Sequence, residues 1–269
     1  MLRIDAQRAT LNLDEYRRRS AAESDYADLI TESALIFEGD TLQIAYLELR
    51  GLGEDLTQVD DVLDRISYET AYRTSGLKTT SRIFGWRPRN TIRADYCSAT
   101  SLAFTQPAEH TVIARGGDIV AKHYREYNPD LYAKHASITN ERVRDEYHLE
   151  DEVFTSGIIN KNNPLKYHFD AGNFKDVWSG MLVFKRDVGG GYLSVPQFNM
   201  AFELKDWSLL LFDGQSLLHG VTPIQKLSLQ ARRYSIVYYS LQQMWNCAPL
   251  GDEVTRIRKL RTMREEKRV

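Results

Sequence analysis

The sequence predicts an α+β fold, with helices leading into a β-sandwich or jelly-roll core. Three observations carry that reading. Apolar residues recur at helical spacing early in the chain, and short β-branched and aromatic runs crowd its later part. No Pro/Gly/Ser-rich linker separates the two, and 269 residues suffice to bury one large core.

The first helix is predicted within EDLTQVDDVLDRISYETAYR, where Val59, Val62, Leu63 and Ile66 share one face and carboxylates line the other. A second is predicted from Asn128-Pro129, an N-cap followed by proline at the first helical position, through LYAKHASITNERVRDEYHL. From Val153 the pattern changes to the strand-like runs FTSGIIN, WSGMLVFKR, GYLSVP, MAFEL, WSLLLF and RRYSIVYYS. Turn signals divide them: Asn162-Asn163-Pro164, Gly189-Gly190-Gly191 and Asp213-Gly214. The expected organisation is a helical and mixed part over 1–152, a jelly-roll core over 153–247 and a basic tail over 248–269, together forming one structural domain.

Composition excludes several classes. No apolar run reaches the ~18 residues of a membrane span, and the mixed charges of the first turns do not read as a secretory leader, so no membrane partner is expected. Two cysteines, Cys97 and Cys247, are too few for a disulfide framework or a thiolate zinc site. They are expected as buried thiols in a cytoplasmic protein, or a nuclear one if the source is eukaryotic. The net charge of −2 is an average that hides clustering. Residues 71–93 carry Arg73, Lys78, Arg82, Arg87, Arg89 and Arg93 without an acid, with Tyr72, Phe84 and Trp86 interleaved. Such a segment suits phosphates and bases, or else a solvated basic face whose aromatics sit in the core.

The chemistry concentrates in YHFDAGNF. On a strand, His168 and Asp170 would share a face, and His219 follows the apolar run WSLLLF and its Asp-Gly turn. Two imidazoles and one carboxylate occupy one face of an octahedron and leave three positions open, the ligand set of non-haem Fe(II) oxygenases. Zinc would more often take three histidines or thiolates. In RRYSIVYYS, period-two alternation puts Arg233, Ser235, Val237 and Tyr239 on one face. There a guanidinium and a hydroxyl can hold a carboxylate by charge-assisted hydrogen bonds.

The ordered set His-x-Asp, His, Arg-x-Ser resembles the Fe(II)/2-oxoglutarate dioxygenases. The wording around it, FTSGIINKNNPLKYHFDAGNF, GGGYLSVP, LLLFDGQSLLHGVTPI and RRYSIVYYS, resembles the TET/JBP group of DNA base hydroxylases over roughly residues 71–247. The resemblance implies a double-stranded β-helix (jelly-roll) core with N-terminal helices packed on it. It also implies Fe(II) as metal, 2-oxoglutarate as cosubstrate, O2 as oxidant and DNA containing a 5-methylpyrimidine as partner. It assigns His168, Asp170 and His219 to the metal, Arg233 to the distal carboxylate of 2-oxoglutarate and Ser235 to a second contact there. Asn173 falls where TET-type members contact the target base, although Ala-Gly-Asn is equally a turn. Lys205 stands where the superfamily often has Gly, which affects a turn rather than the metal set. With no long Cys-rich region, the chain resembles a minimal microbial or viral form. Lys78, Arg82, Arg87, Arg89 and Arg93 are the candidate DNA contacts. Two other readings keep the same residues: an oxygenase acting on a free nucleotide or other small molecule, and a silent jelly roll that binds modified DNA.

Overall fold

The computed structural model describes residues 1–16, 19–72, 78–90 and 94–266. Seven described strands precede residue 100: β1 (Leu2–Asp5), β2 (Asp28–Ile30), β3 (Ala34–Glu38), β4 (Thr41–Glu48), β5 (Glu69–Tyr72), β6 (Lys78–Arg87) and β7 (Ser98–Ala99). Nine follow residue 150: β8 (Ser156–Lys161), β9 (Ser179–Arg186), β10 (Val188–Gly190), β11 (Leu193–Val195), β12 (Met200–Phe202), β13 (Ser208–Phe212), β14 (Gly220–Val221), β15 (Ile224–Lys226) and β16 (Arg232–Tyr239). The helices are α1 (Leu13–Tyr16), α2 (Thr57–Leu63), α3 (Ser101–Thr105), α4 (Pro107–Tyr127), α5 (Pro129–Arg142) and α6 (Leu250–Glu266). None of the described helices is long and apolar enough to cross a membrane.

The main sheet runs β1-β3-β4-β13-β9-β16-β8-β6-β5, with β7 paired to β6. A smaller sheet, β14-β11-β12-β2, faces it, and β10 pairs with β15 beside them. The central strands of the main sheet are buried on both faces, which explains why β13 reads as the continuous apolar run SLLLF. Leu209 and Leu211 point into a core shared with Val59, Val62 and Leu63 of α2 and Ile113, Val120 and Tyr124 of α4. Leu210 and Phe212 point the other way, packing with Leu193, Val195 and Phe202 of the small sheet. Two facing sheets backed by helices give the expected double-stranded β-helix in an α+β chain.

β16 shows the same alternation with a functional consequence. Tyr234, Ile236 and Tyr238 enter the helix-side core, and the Tyr238 hydroxyl donates to the Ile113 carbonyl at 2.7 Å. Arg233, Ser235, Val237 and Tyr239 are therefore turned toward the space between the sheets.

The first part of the chain is less helical than its sequence suggests. The predicted helix over 54–73 closes at Leu63, and Glu69–Tyr72 instead pairs with β6. The hairpin ALIFEGDTLQIAYLE carries its own signal, two apolar runs around a turn in which Gly39 has φ +60°. The Asn128-Pro129 start is as expected, since the Asn128 side chain accepts from Leu131 N. The C-terminal tail forms α6, pinned by the buried Glu253, which takes hydrogen bonds from Arg89, Cys97 N and Ala248 N.

One expectation is overturned. Cys97 and Cys247 are not thiols but a disulfide, with Cα atoms 5.8 Å apart, in a cluster with Trp86, Tyr147, Phe174 and Met244. Neighbourhood in the chain could not reveal it, because the two lie 150 residues apart and meet only when the segment after β16 folds back. Closing so long a loop restricts the unfolded chain strongly. Reduction, or the Cys97→Ser and Cys247→Ser pair, is therefore expected to lower stability by about 2–5 kcal/mol. Chemical denaturation with and without reductant measures this, and superimposable curves would contradict it.

Candidate active site

His168 and Asp170 do not sit on a regular strand. They lie in an extended segment after Pro164, held by single bridges, and the key bridge pairs His168 with His219. His168 N donates to the His219 carbonyl at 3.0 Å and His219 N to that of His168 at 3.1 Å. Asp170 N donates to the Gly214 carbonyl at 2.8 Å, so the Asp213-Gly214 turn is the third leg of the support.

The side chains converge. Asp170 Oδ1 lies 3.6 Å from His168 Nε2 and 3.8 Å from His219 Nε2, and one ligand atom from each residue falls within 4.8 Å of the others. Each imidazole is oriented from behind, His168 Nδ1 lying 2.8 Å from the Lys166 carbonyl and His219 Nδ1 2.9 Å from that of Leu217. A carbonyl only accepts, so both Nδ1 atoms carry the proton and the Nε2 lone pairs are the ligand atoms. Phe212 sets an edge against the His219 ring at 5.0 Å between centroids. Gly214 leaves room for the carboxylate, since a Cβ there would fall 2.4 Å from Asp170 Oδ2 and push the ligand side chain aside. Among the described residues this is the only cluster of three or more His, Cys, Asp or Glu groups suited to a metal ion. Two imidazoles and one carboxylate on one side of a cavity fit a divalent iron that keeps open positions.

That cavity, of about 360 Å³, lies between the sheets and is bordered by His168, Asp170, Asn173, His219, Ser235 and Tyr239. Arg233 continues the Ser235 row, is 1% exposed, and has no hydrogen-bond partner at Nε or Nη2. Burial pulls its pKa down to about 10, so it stays charged at neutral pH. Gly191, with φ +68°, makes room for it, as a Cβ there would sit 3.1 Å from Arg233 Cδ and Nε. Lys185 is directly opposite Arg233 in the β9 register, a second cation that sequence inspection did not single out. Burial lowers the Lys185 pKa, Glu203 opposes this, and Arg233 lowers it further. A desolvated guanidinium with unpaired N–H groups beside a second cation fits an anion such as a carboxylate. The orphaned nitrogens thus suit the distal carboxylate of 2-oxoglutarate, and Ser235, buried on the cavity wall, offers a hydroxyl.

Asn173 reaches the cavity wall, where its Nδ2 donates to Ser179 Oγ at 3.2 Å and its carbonyl accepts from Gln215 Nε2 at 2.9 Å.

The basic segment divides. Arg82 is buried on an ion pair with Glu69 at 2.5 Å and a 3.1 Å hydrogen bond to Thr105 Oγ1. Arg89 is paired with the buried Glu253. Both hold the fold together, which corrects their expected place at a DNA surface: a strand interior and a helix anchor demanded cations there. Phe84 belongs to the core, and Trp86 packs on Tyr147. Lys78 is exposed, and Arg87 is half-buried beside a groove. Arg73 and Arg93 lie outside the described residues.

Sequence inspection also missed a strap from the N-terminal part. Ser20 bridges Lys166, and Tyr167 N donates to the Arg19 carbonyl at 3.0 Å. The Tyr167 hydroxyl is 2.9 Å from both Asp25 Oδ2 and Ser194 Oγ, and Arg19 pairs with Asp25 at 2.8 Å. Tyr167 and Leu218, the residues before the two histidines, pack together on Ala21. The strap thereby fixes the Lys166 carbonyl that orients His168. No local signal announces a contact across 142 residues.

Residues 91–242, just over half of the chain, match the Tet_JBP family model, the oxygenase domain of the 2OGFeDO superfamily. Similar proteins include bifunctional helicase and thymine dioxygenase JBP2 of Trypanosoma brucei brucei, 33% identical over 116 residues covering 43% of this chain and 10% of that protein. JBP2 of Trypanosoma cruzi is 25% identical over 229 residues, covering 81% of this chain and 20% of that protein. The chain therefore spans only a small part of these curated relatives. Among solved structures, NgTET1 in complex with 5mC DNA superposes with TM-score 0.57 at 14% identity, over 87% of this chain and 90% of that one. That likeness concerns the fold.

Outer supports of metal-ligating histidines typically contribute 10–100-fold in affinity. Tyr167→Phe is therefore expected to weaken Mn(II) binding about 10-fold by titration calorimetry, and His168→Ala to abolish it. Wild-type affinity in Tyr167→Phe would refute a role for the strap.

Proposed function

Because the chain belongs to the Tet_JBP family of 2OGFeDO oxygenase domains, we propose that it is an Fe(II)/2-oxoglutarate-dependent dioxygenase that hydroxylates the 5-methyl group of a pyrimidine in DNA. The observation that carries the reading is that the His168/Asp170/His219 cluster shares a cavity with Ser235, while two residues back along the same strand face stands the desolvated guanidinium of Arg233, unpartnered at Nε and Nη2. A metal site alone would suit hydrolysis as well. A buried cation awaiting an anion within the same fold supports a carboxylate cosubstrate. The choice of substrate is supported by the relatives called thymine dioxygenases and by the likeness to a protein solved with 5mC DNA.

In this reading His168, Asp170 and His219 hold the iron, and Arg233 and Ser235 anchor the far end of 2-oxoglutarate. Bound Fe(II) supplies the oxidising chemistry by which one O2 converts a methyl C–H to C–OH while 2-oxoglutarate becomes succinate and CO2. The chain's own work is binding, orientation and exclusion of water. Lys166 and Leu217 keep both imidazoles in the tautomer that presents Nε2. Leu193, Val221, Ile158 and Val237 provide apolar walls that shield the reacting centre. A recess of about 360 Å³ between two sheets admits one nucleotide and not a duplex. The target base must therefore swing out of the stack or come from a single strand. Asn173, on the wall of that recess, is the proposed contact to the base edge.

Two outcomes are expected. Incubated with Fe(II), ascorbate, 2-oxoglutarate and DNA holding both thymine and 5-methylcytosine, the protein should yield a 5-hydroxymethyl nucleoside by mass spectrometry of the digest, and His168→Ala none. Succinate formed with a small molecule but no oxidised base in any DNA would overturn the substrate assignment. Arg233→Ala removes one partner of a buried charge pair, so 2-oxoglutarate affinity should fall about 100-fold or more by calorimetry with Mn(II) in place of iron. An unchanged affinity would remove Arg233 from the site.

A further inference from the structure

The face of the main sheet that walls the active-site cavity continues past it. In the aligned register Val237 of β16 pairs with Ile158 of β8, and Ile158 pairs with Ile83 of β6. Val237 and Ile158 border the cavity, whereas Ile83, 42% exposed, borders a second groove of about 610 Å³. Leu241 and Gln243 make the same transition from cavity to groove along the chain. The floor of the groove is thus about 10 Å, two strand spacings, from β16.

The groove has an unusual lining for a solvent-exposed surface. Phe104 of α3 is 74% exposed, and Tyr96 lines the same groove with its ring under the Arg87 guanidinium at 5.8 Å. Arg87 of β6 borders the same groove, its Nη2 donating to Ser98 Oγ at 3.2 Å while its Nε is buried without a hydrogen-bond partner. Ile257 and Arg261 of α6 border the groove as well. The acids nearby are already committed: Glu69 to Arg82, Asp95 to Arg256 and Glu253 to Arg89. Among the described residues no ion pair involves Arg87, Arg258, Lys259, Arg261 or Arg264, so the groove and the outer face of α6 carry net positive charge.

We propose that this groove holds the stretch of DNA strand flanking the target nucleotide, with Arg87 and Arg261 on its phosphates and Phe104 under a base. The inference rests on the function proposed above and adds where the strand leaves the cavity. Exposed aromatics beside unpaired cations are the pattern of single-strand binding, in which stacking is tolerant of sequence and phosphate contacts set the salt dependence. A groove joined to the catalytic recess by a shared strand row gives that strand a continuous path.

The test uses the whole chain and fluorescence anisotropy with a labelled single-stranded oligonucleotide containing 5-methylcytosine, and with a trinucleotide. Phe104→Ala and Arg261→Glu alter exposed side chains only, and Arg3→Glu makes the same charge change at the opposite edge of the main sheet. The long strand should bind about 10-fold more weakly to Phe104→Ala and to Arg261→Glu, with the salt slope reduced by about one for the latter. Arg3→Glu should match wild type, and all three should bind the trinucleotide and 2-oxoglutarate as wild type does. Long-strand affinities within twofold of wild type for both groove variants would overturn the groove alone, as would an equal loss in Arg3→Glu. Wild-type protein that binds Mn(II) and 2-oxoglutarate but no DNA would overturn the functional reading and the groove with it.

Discussion

Two backbone hydrogen bonds, exchanged between His168 and His219, hold the candidate site in register. Neither histidine belongs to a long strand, so without this bridge the two segments would be ordinary loops free to drift by more than a ligand bond. With it, the side chains emerge from paired positions and their Nε2 atoms meet Asp170 at nearly equal distances. The other supports act on the same bridge. Gly214 brings the turn close enough to receive Asp170 N, and Tyr167 and Leu218 fasten the residues just before each histidine to one apolar patch. Precision comes from several modest interactions that all constrain one short ladder.

Arg233 poses the opposite problem, a charge placed where the fold alone does not satisfy it. Burying a guanidinium without partners costs free energy that the surrounding core must supply. The sheet offsets that cost with Tyr234, Ile236 and Tyr238, which alternate with Arg233, Ser235 and Val237 and are fully enclosed on the helix side. The same strand is therefore a structural element on one face and a binding element on the other. An unpaired desolvated cation binds an anion more strongly than an exposed one, because the anion need not displace a hydration shell from it.

The β core was legible because its strands are short, apolar and separated by strong turn signals. The metal triad was legible because His-x-Asp, His and Arg-x-Ser keep their order along the chain, although only Arg233 and Ser235 lie on a regular strand. What stayed hidden depended on distance in the chain. Arg82 and Arg89 read as surface cations until Glu69 and the buried Glu253 appear opposite them. Cys97 and Cys247 read as separate thiols until the C-terminal segment returns to residue 97. The early strands were obscured for a different reason: carboxylates and polar residues interrupt their alternation, because β1 and β5 are largely exposed sheet edges.

The part of the chain that matches the family model, residues 91–242, holds every candidate ligand, yet it does not hold them in place by itself. β3 and β4 cover the outer edge of β13, β2 completes the small sheet, and the strap from Arg19 to Asp25 sets the carbonyl behind His168. At the other end, Glu253 of α6 gathers Arg89, Cys97 and Ala248 into one buried knot beside the disulfide. Chemistry and support are thus carried by different stretches of sequence. In this chain the core supplies the reactive residues, while the flanking segments constrain how rigidly they are held.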